Sequence, residues 1–551
     1  MGIKHVLKKL REKYRDCKYI FKHSNYLRGM IAQKESILYS RDEEDKNLIL
    51  IAFYPTGGFG DSIISSKLLD ELMLYGPCRI DVFCNNMVFG KAVFGQRPGV
   101  KVLPYDAYEN SKYLYDIALT VEHFIHVDHY NPRHVARLSP VLADKMVELG
   151  KSMGYVRPDI NQQYYREVIH FRRCELKGIN RYTELNHGKV FSINDQRTAV
   201  YLEMNYQKRL EELGIAGKKY ITLNRGADSM GRSTMQTKVW PLNYYEKFVE
   251  LFKQQYPDIY IYQLGDKTNT KIAGIDKYIL GESLEVVKWI LKYSKLHLDC
   301  EGGLVHLGSQ LSTKCAVIFG PTPYHLYAYP QNINIVSDKC SNCMGTHQDW
   351  AFSCFRGLSE PECTYSITPE IVMEKIRDHM ELIPKKKVRL VTIDEETDAS
   401  KVFNDNINLE YFKKINNSKL INFNDKTSLY YRMIVRHLDT ICGNNKRIAL
   451  LNVGREILPW YLIKKGYQVT IIDKDYGWSG DQSDISHCLY MQMCIANGIE
   501  VKFGNEYCIP YEDSAFDGVV IFHEDVDKSE NDIKRVIKEN GFIIFANSVI
   551  S

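Results

Sequence analysis

No apolar run in this chain approaches the roughly 18 residues that a bilayer-spanning helix requires. An integral helical membrane protein is therefore not expected. The first thirty residues, MGIKHVLKKLREKYRDCKYIFKHSNYLRGM, contain no hydrophobic core of a signal peptide, and Val6 stands where myristoylation after Gly2 would need Ser or Thr. Neither sign of charge dominates: 72 Lys and Arg balance 68 Asp and Glu, a net charge of +4, too little for a nucleic-acid-binding face. Low-complexity tracts are also missing, which removes the usual compositional case for disorder. Without an export signal, the 14 cysteines imply a reducing compartment, here the cytoplasm. A clustered set of them reads as a metal site before it reads as disulfides.

What is present is the composition of a globular protein, 44% hydrophobic and 25% charged, in 551 residues, too long for one core. Residues 1–45 read as a basic amphipathic segment with Ile3, Val6, Leu7 and Leu10 on one face. It suits packing against a partner or a peripheral contact with an acidic membrane surface.

Strand and helix signals then alternate. Asn47 to Tyr54 is a continuous apolar run of buried-strand type, followed at once by Gly57-Gly58-Phe59-Gly60-Asp61 and a helical pattern to Tyr75. Arg79 to Cys84 and Lys101 to Pro104 are further strands, and 120–215 is an irregular stretch rich in Tyr, His and Arg that faces an acceptor. A second alternation starts near Lys219 and ends with the strand Cys315 to Phe319. The order strand–helix–strand makes parallel sheets. The fold class is α/β, with two Rossmann-like lobes over 46–215 and 216–383 and a cleft at the carboxyl ends of their strands. A polar linker at 384–430 precedes a third βαβ pattern over 431–551.

Two motifs carry chemistry. Gly58 and Gly60 sit where a strand turns into a helix, a place for close backbone approach and for anion binding by free N–H groups. Asp61 there is either a helix N-cap or a general base in the cleft. The second motif is Glu301-Gly302-Gly303-Leu304-Val305-His306, leading to Gly320-Pro321-Thr322. Glu301 can accept sugar or ribose hydroxyls, and the N–H groups of Gly302, Gly303 and Leu304 can face a diphosphate. His306 is either part of that loop or a satisfied core histidine.

Gly60-Asp61, Lys238-Val239-Trp240-Pro241, Glu301 to Leu307 and Gly320-Pro321-Thr322 occur in the order found in glycosyltransferase family 9, the heptosyltransferases that use ADP-heptose, and residues 47–380 resemble that family. The resemblance implies the two-lobed GT-B fold. It implies Asp61 as the base that deprotonates an acceptor hydroxyl and Lys238 as the cation that neutralises the donor diphosphate. It puts donor contacts at Gly58, Gly60, Asn224, Arg225, Asp266, Lys267, Glu301, Gly302, Gly303, Leu304, His306, Pro321 and Thr322. Glu301 departs from the usual aspartate by one methylene, leaving the donor sugar and nucleotide open.

Cys340-Ser341-Asn342-Cys343, with Cys354 and Cys363 close behind, has the spacing of a tetrahedral thiolate site over 340–363. Four thiolates leave no open coordination position, so iron or zinc there would be structural, with no metal at the reacting centre; His347 is an alternative ligand. With the Glu-Gly-Gly loop, this cluster resembles the bacterial autotransporter heptosyltransferases, which modify proteins and carry an iron-binding cysteine finger.

Arg447 to Asp473 and Pro510 to Ala546 resemble a class I methyltransferase. Asp473 keeps the ribose-acid position, but the glycine-rich turn is reduced to Gly454 followed by Arg455 and Glu456, whose bulk would meet the methionine of S-adenosylmethionine. The pattern stops after its fifth strand, without the last hairpin of that fold. A degenerate module for binding or homo-oligomerisation is therefore expected, with little place for S-adenosylmethionine. The functional expectation is transfer of a sugar, heptose in the first instance, from a nucleotide-sugar donor to a protein or glycan acceptor. The alternatives are a methyltransferase with a sugar-binding front end and a non-catalytic nucleotide-sugar scaffold.

Overall fold

The computed structural model describes residues 47–153, 164–225, 237–347, 349–381, 388–393, 434–435, 438–441, 446–473, 490–522 and 530–546. The basic segment expected over 1–45 lies outside them. Three sheets organise the rest.

The first lobe comprises β1 (Ile49–Pro55), α1 (Phe59–Met73), β2 (Cys78–Cys84), α2 (Met87–Phe94), β3 (Val100–Pro104), β4 (Ile117–Val121), β5 (Ile125–Tyr130), α3 (Pro132–Leu138), α4 (Pro140–Met153) and α5 (Tyr164–Lys177). Its strand order is β3-β2-β1-β4-β5. β1 lies in the middle, covered on both faces, which is why its sequence runs apolar without alternation. The irregular stretch expected from residue 120 onward instead contributes β5, antiparallel to β4. Its alternation of Ile, His, Val, Asp, His and Tyr places polar groups on a half-exposed edge strand, so no apolar run announces it.

The second lobe comprises β6 (Tyr220–Asn224), α6 (Leu242–Gln255), β7 (Tyr260–Gly265), β8 (Lys277–Leu280), α7 (Leu284–Tyr293), β9 (His297–Cys300), α8 (Gly303–Gln310), β10 (Cys315–Phe319), β11 (Ile333–Val336) and α9 (Pro369–Glu381). All its strands are parallel, in the order β11-β10-β9-β6-β7-β8. The short edge strands β8 and β11 were not legible, because each has only four residues and mixed polarity.

The third sheet holds β12 (Arg389–Ile393), β13 (Arg447–Leu451), β14 (Gln468–Asp473), β15 (Glu500–Phe503), β16 (Phe516–Ile521) and β17 (Ile537–Ala546), with α10 (Leu458–Lys464) and α11 (Glu530–Val536) between them. It too is fully parallel, ordered β12-β17-β16-β13-β14-β15. β12 comes from the stretch read as a linker. It pairs Arg389 to Phe542 through Ile393 to Ala546 along β17, occupying the edge that the sequence pattern left open.

This third unit packs on both lobes. Asp195 is held between Lys67 of α1 (2.7 Å) and Lys502 of β15 (2.6 Å). Ser312, just after α8, donates to Asp532 at 2.6 Å, and the Cys508 thiol meets the Gln310 carbonyl at 3.0 Å. One continuous apolar cluster runs from Ile51 and Leu72 to Trp460 and Phe503. Among the described residues, no helix is long and apolar enough to cross a membrane.

Candidate active site

The two glycine turns face one another. α1 and α8 begin at the carboxyl ends of β1 and β9, and their first turns touch. A Cβ on Gly60 would stand 2.5 Å from His306 Cδ2, and a Cβ on Gly303 would stand 2.8 Å from Phe59 Cδ1. Gly60 and Gly303 thus make room for the opposite lobe, whereas Gly58 has open space beside it. Because His306 is held at both ring nitrogens, Gly60→Ala should force the lobes apart. A thermal melt should show a loss of about 1–3 kcal/mol.

Asp61 is the third residue of α1, and Gly58 is its N-cap. The N-cap expectation for Asp61 is corrected accordingly: its Oδ2 reaches back to accept the Gly58 N–H at 3.1 Å. That is the carboxylate half of a capping box. Oδ1 accepts from Arg181 Nη2 at 3.2 Å. A third of the side chain stays exposed at the junction of the lobes.

Across the junction, Trp240 is fully buried and donates its indole N–H to the Ile367 carbonyl at 2.8 Å, while its backbone N–H meets Cys300 Sγ at 3.2 Å. The Lys-x-Trp-Pro segment is thereby anchored beside the tip of β9, which brings Lys238 Nζ to 2.8 Å from Glu301 Oε2. Glu301 Oε1 lies 3.3 Å from His306 Nε2, and His306 Nδ1 lies 2.7 Å from the Tyr329 hydroxyl. Burial opposes ionisation of Glu301, but Lys238 and then His306 outweigh it and hold the carboxyl well below its usual range. Burial likewise works against the Lys238 charge, and Glu301 more than compensates, so the ammonium is raised above its ordinary value. His306 thus belongs to both of its readings, buried and satisfied yet bonded to the loop acid.

Gly302 is the N-cap of α8 and supplies no side-chain acceptor, so the first-turn N–H groups of Gly303 and Leu304 have no partner within the helix. Asn224 donates to Asp299 at 2.8 Å, and Asn269 bridges Asn224 Oδ1 and the Arg225 carbonyl, both at 3.3 Å. Asp266 closes its own turn onto Thr268, whose hydrogen bonds lower it from the ordinary carboxylate value. The Lys267 stem packs against Gly281. Pro321 and Thr322 are buried, and the Thr322 hydroxyl has no hydrogen-bond partner among the described residues.

Four residues of this site were missed. Arg181 Nη1 donates to Glu184 Oε2 at 3.0 Å, and Glu184 also meets His123 Nδ1 at 3.1 Å and His170 Nε2. His123 comes from the β4–β5 turn, His170 from α5, Arg181 from the turn after α5 and Glu184 from a 3₁₀ segment at Thr183–Lys189. No spacing in the sequence links them; the density of His, Arg and Tyr in that stretch was the only signal. His123, His170 and Glu184 place one ligand atom each within 4.8 Å of one another, the one such group among the described residues. Glu184 already accepts from Arg181, so it neutralises a cation of the protein's own.

Cys340, Cys343 and Cys354 lie in the loop after β11, and Cys363 in the short helical turn Glu362–Tyr365 that follows it. Burial, then the charges of Cys340 and Cys354, push the Cys343 thiol up to about 11, and burial with its three neighbours pushes Cys363 up to about 12. Among the described residues, no three of the sulfurs come within 4.8 Å of one another. His347 is half-buried, and its Nε2 pairs with the Ser353 hydroxyl at 3.0 Å. In the third unit, Gly454 follows β13 with φ +66°, Asp473 is buried at the end of β14, and Glu456 is buried where the glycine-rich turn would run.

No family model and no curated protein sequence matches the chain. Among solved structures it is similar to a glycosyltransferase family 9 protein from Veillonella parvula, at 12% identity over 60% of this chain and 97% of that one, with a TM-score of 0.41. It is also similar to TibC, an iron-containing dodecameric glycosyltransferase from enterotoxigenic E. coli, at 14% identity over 62% of this chain and 80% of the other, with a TM-score of 0.39. A smaller part, 24% of the chain, is similar to 60% of a candidate S-adenosyl-L-methionine-dependent methyltransferase from Methanococcus maripaludis, at 18% identity and a TM-score of 0.19. Identities this low leave residue roles to the chain's own geometry.

Proposed function

We propose that the protein is a glycosyltransferase that moves a sugar from a nucleotide-sugar donor, ADP-heptose in the first instance, to a hydroxyl of a protein or glycan acceptor. The observation that carries this reading is the juxtaposition of Asp61 with Lys238, Glu301 and the N-terminus of α8 across the junction of two parallel α/β lobes. In the proposed reaction, Asp61 takes the proton of the acceptor hydroxyl as its oxygen attacks the anomeric carbon. The bond from that carbon to the diphosphate breaks, and the nucleoside diphosphate leaves with the electron pair. Lys238 meets that growing charge together with the first-turn N–H groups of α8. Glu301 uses one ammonium proton and keeps Lys238 charged, leaving two donors for phosphate oxygens.

The test is a thermal-shift series with ADP-, UDP- and GDP-sugars beside S-adenosylmethionine. Stabilisation by one nucleotide sugar, with release of its nucleoside diphosphate on addition of acceptor, is the expected result. Stabilisation by S-adenosylmethionine alone would favour the methyltransferase alternative, and no stabilisation by any of them would remove the transferase reading.

The four cysteines suit a structural iron or zinc ion in donor chemistry, because a set of four soft thiolates is what these ions take in closed sites. Cys340, Cys343, Cys354 and Cys363 would hold it and tie down the loop beside the second-lobe sheet. Replacing Cys340 and Cys343 together by Ser should abolish bound iron and zinc in elemental analysis; unchanged metal content would contradict the assignment.

A further inference from the structure

The Asp61 carboxylate is gripped at both oxygens, and the second grip comes from outside the expected motifs. Arg181 is buried, with its backbone N–H donated to the Leu326 carbonyl at 2.8 Å, and its guanidinium is divided. Nη1 goes to Glu184, and Nη2 goes to Asp61 and to the Glu122 carbonyl at 3.1 Å. Glu184 is in turn fixed by His123 and His170, whose rings are wedged against Phe171 and Phe124, with centroids 5.4 and 4.6 Å apart.

We propose that Arg181 is the positioning residue of Asp61, and that Glu184, braced by His123 and His170, is the anchor that divides the guanidinium between two carboxylates. This rests on Asp61 being the base. The physical reason is a balance. An arginine facing Asp61 alone would hold the anion so firmly that it would be a poor proton acceptor. Removing the arginine would leave the carboxylate held only by the Gly58 N–H, free to rotate about that one contact. With Glu184 as a second claimant, Arg181 orients Asp61 and is never left without a counter-charge when Asp61 takes up a proton. Burial opposes the Glu184 charge, but His123 and then Arg181 hold it ionised. The remaining groups facing these residues are Cys174 of α5, 3.4 Å from His170 Nε2, and, from the second lobe, Lys238, Tyr327, Glu301 and His306.

The balance predicts opposite signs for two variants. ADP released from ADP-heptose would be followed against pH in the full-length protein. Glu184→Gln should move the acidic limb of kcat/KM to lower pH and reduce the plateau about tenfold. The double variant Arg181→Met, Glu184→Met should move it up by about one pH unit. That exchange replaces a buried ion pair with apolar side chains of similar volume, which a core commonly tolerates, so the test survives if Glu184→Gln does not fold. Limbs that stay at the wild-type pH, or move together, while Asp61→Asn is inactive, would overturn the positioning role alone. An active Asp61→Asn would overturn the assignment of the base itself.

Discussion

Replacing Asp61 by Asn should lower kcat/KM for sugar transfer by about 10²–10⁴, the usual worth of a positioned general base, while leaving donor-induced thermal stabilisation in place. The amide retains one oxygen to accept from either Gly58 or Arg181, so the grip on the α1 turn is weakened and not lost. A stability loss of about 1 kcal/mol is expected, as for one exposed hydrogen bond. Donor binding should persist because the second-lobe groups are untouched. Parallel measurement of turnover and of the donor-dependent melting shift checks this. Loss of both together would mean that the substitution had disturbed the junction, and retention of both would remove Asp61 from the chemistry.

Lys238→Met should have two separable consequences. Turnover should fall about 10²–10³-fold, the scale of losing one preorganised group at a developing charge. Stability should fall as well, because Glu301 keeps only His306 and is left as a buried carboxylate without its cation; such losses run to about 3–5 kcal/mol. Adding Glu301→Gln to Lys238→Met should recover most of the stability and none of the turnover, which separates the two roles. The pH dependence follows from the direction of the Glu301 shift. A carboxyl held below its ordinary value of 4.5 contributes stability that is present at neutral pH and is lost as pH falls through and below that value. Acid unfolding of the wild type should therefore be steeper below about pH 4.5 than that of the double variant, as read from urea midpoints across pH.

The site was partly legible. Asp61, Lys238, Glu301 and His306 stand in short motifs at strand-to-helix turns, where a glycine beside a polar residue marks the chain reversal and the open helix end. Arg181, Glu184, His123 and His170 stand in no such pattern. They are drawn from two turns, a helix and a 3₁₀ segment, and only the tertiary contacts among Glu184, His123, His170, Arg181 and Asp61 bring them together. The edge strands β5, β8, β11 and β12 escaped for a related reason. A strand with one wet face or four residues carries too little apolar periodicity to distinguish it from loop.

By itself the sequence determined most of the central strands, though not β4, the two glycine turns and the parallel order of the lobes apart from β5. Continuous apolar runs such as ILIAFY have no stable place except between two covered faces, and a glycine turn followed by helical spacing has one sensible geometry. Tertiary structure alone decided what those turns do. Gly60 and Gly303 make room for His306 and Phe59 of the opposite lobes, Asp61 is clasped from a segment 120 residues away, and the third unit lies across both lobes and not at a distance from them. Such contacts depend on which surfaces meet once each core has formed, and long-range complementarity leaves no periodic trace in the chain that makes it.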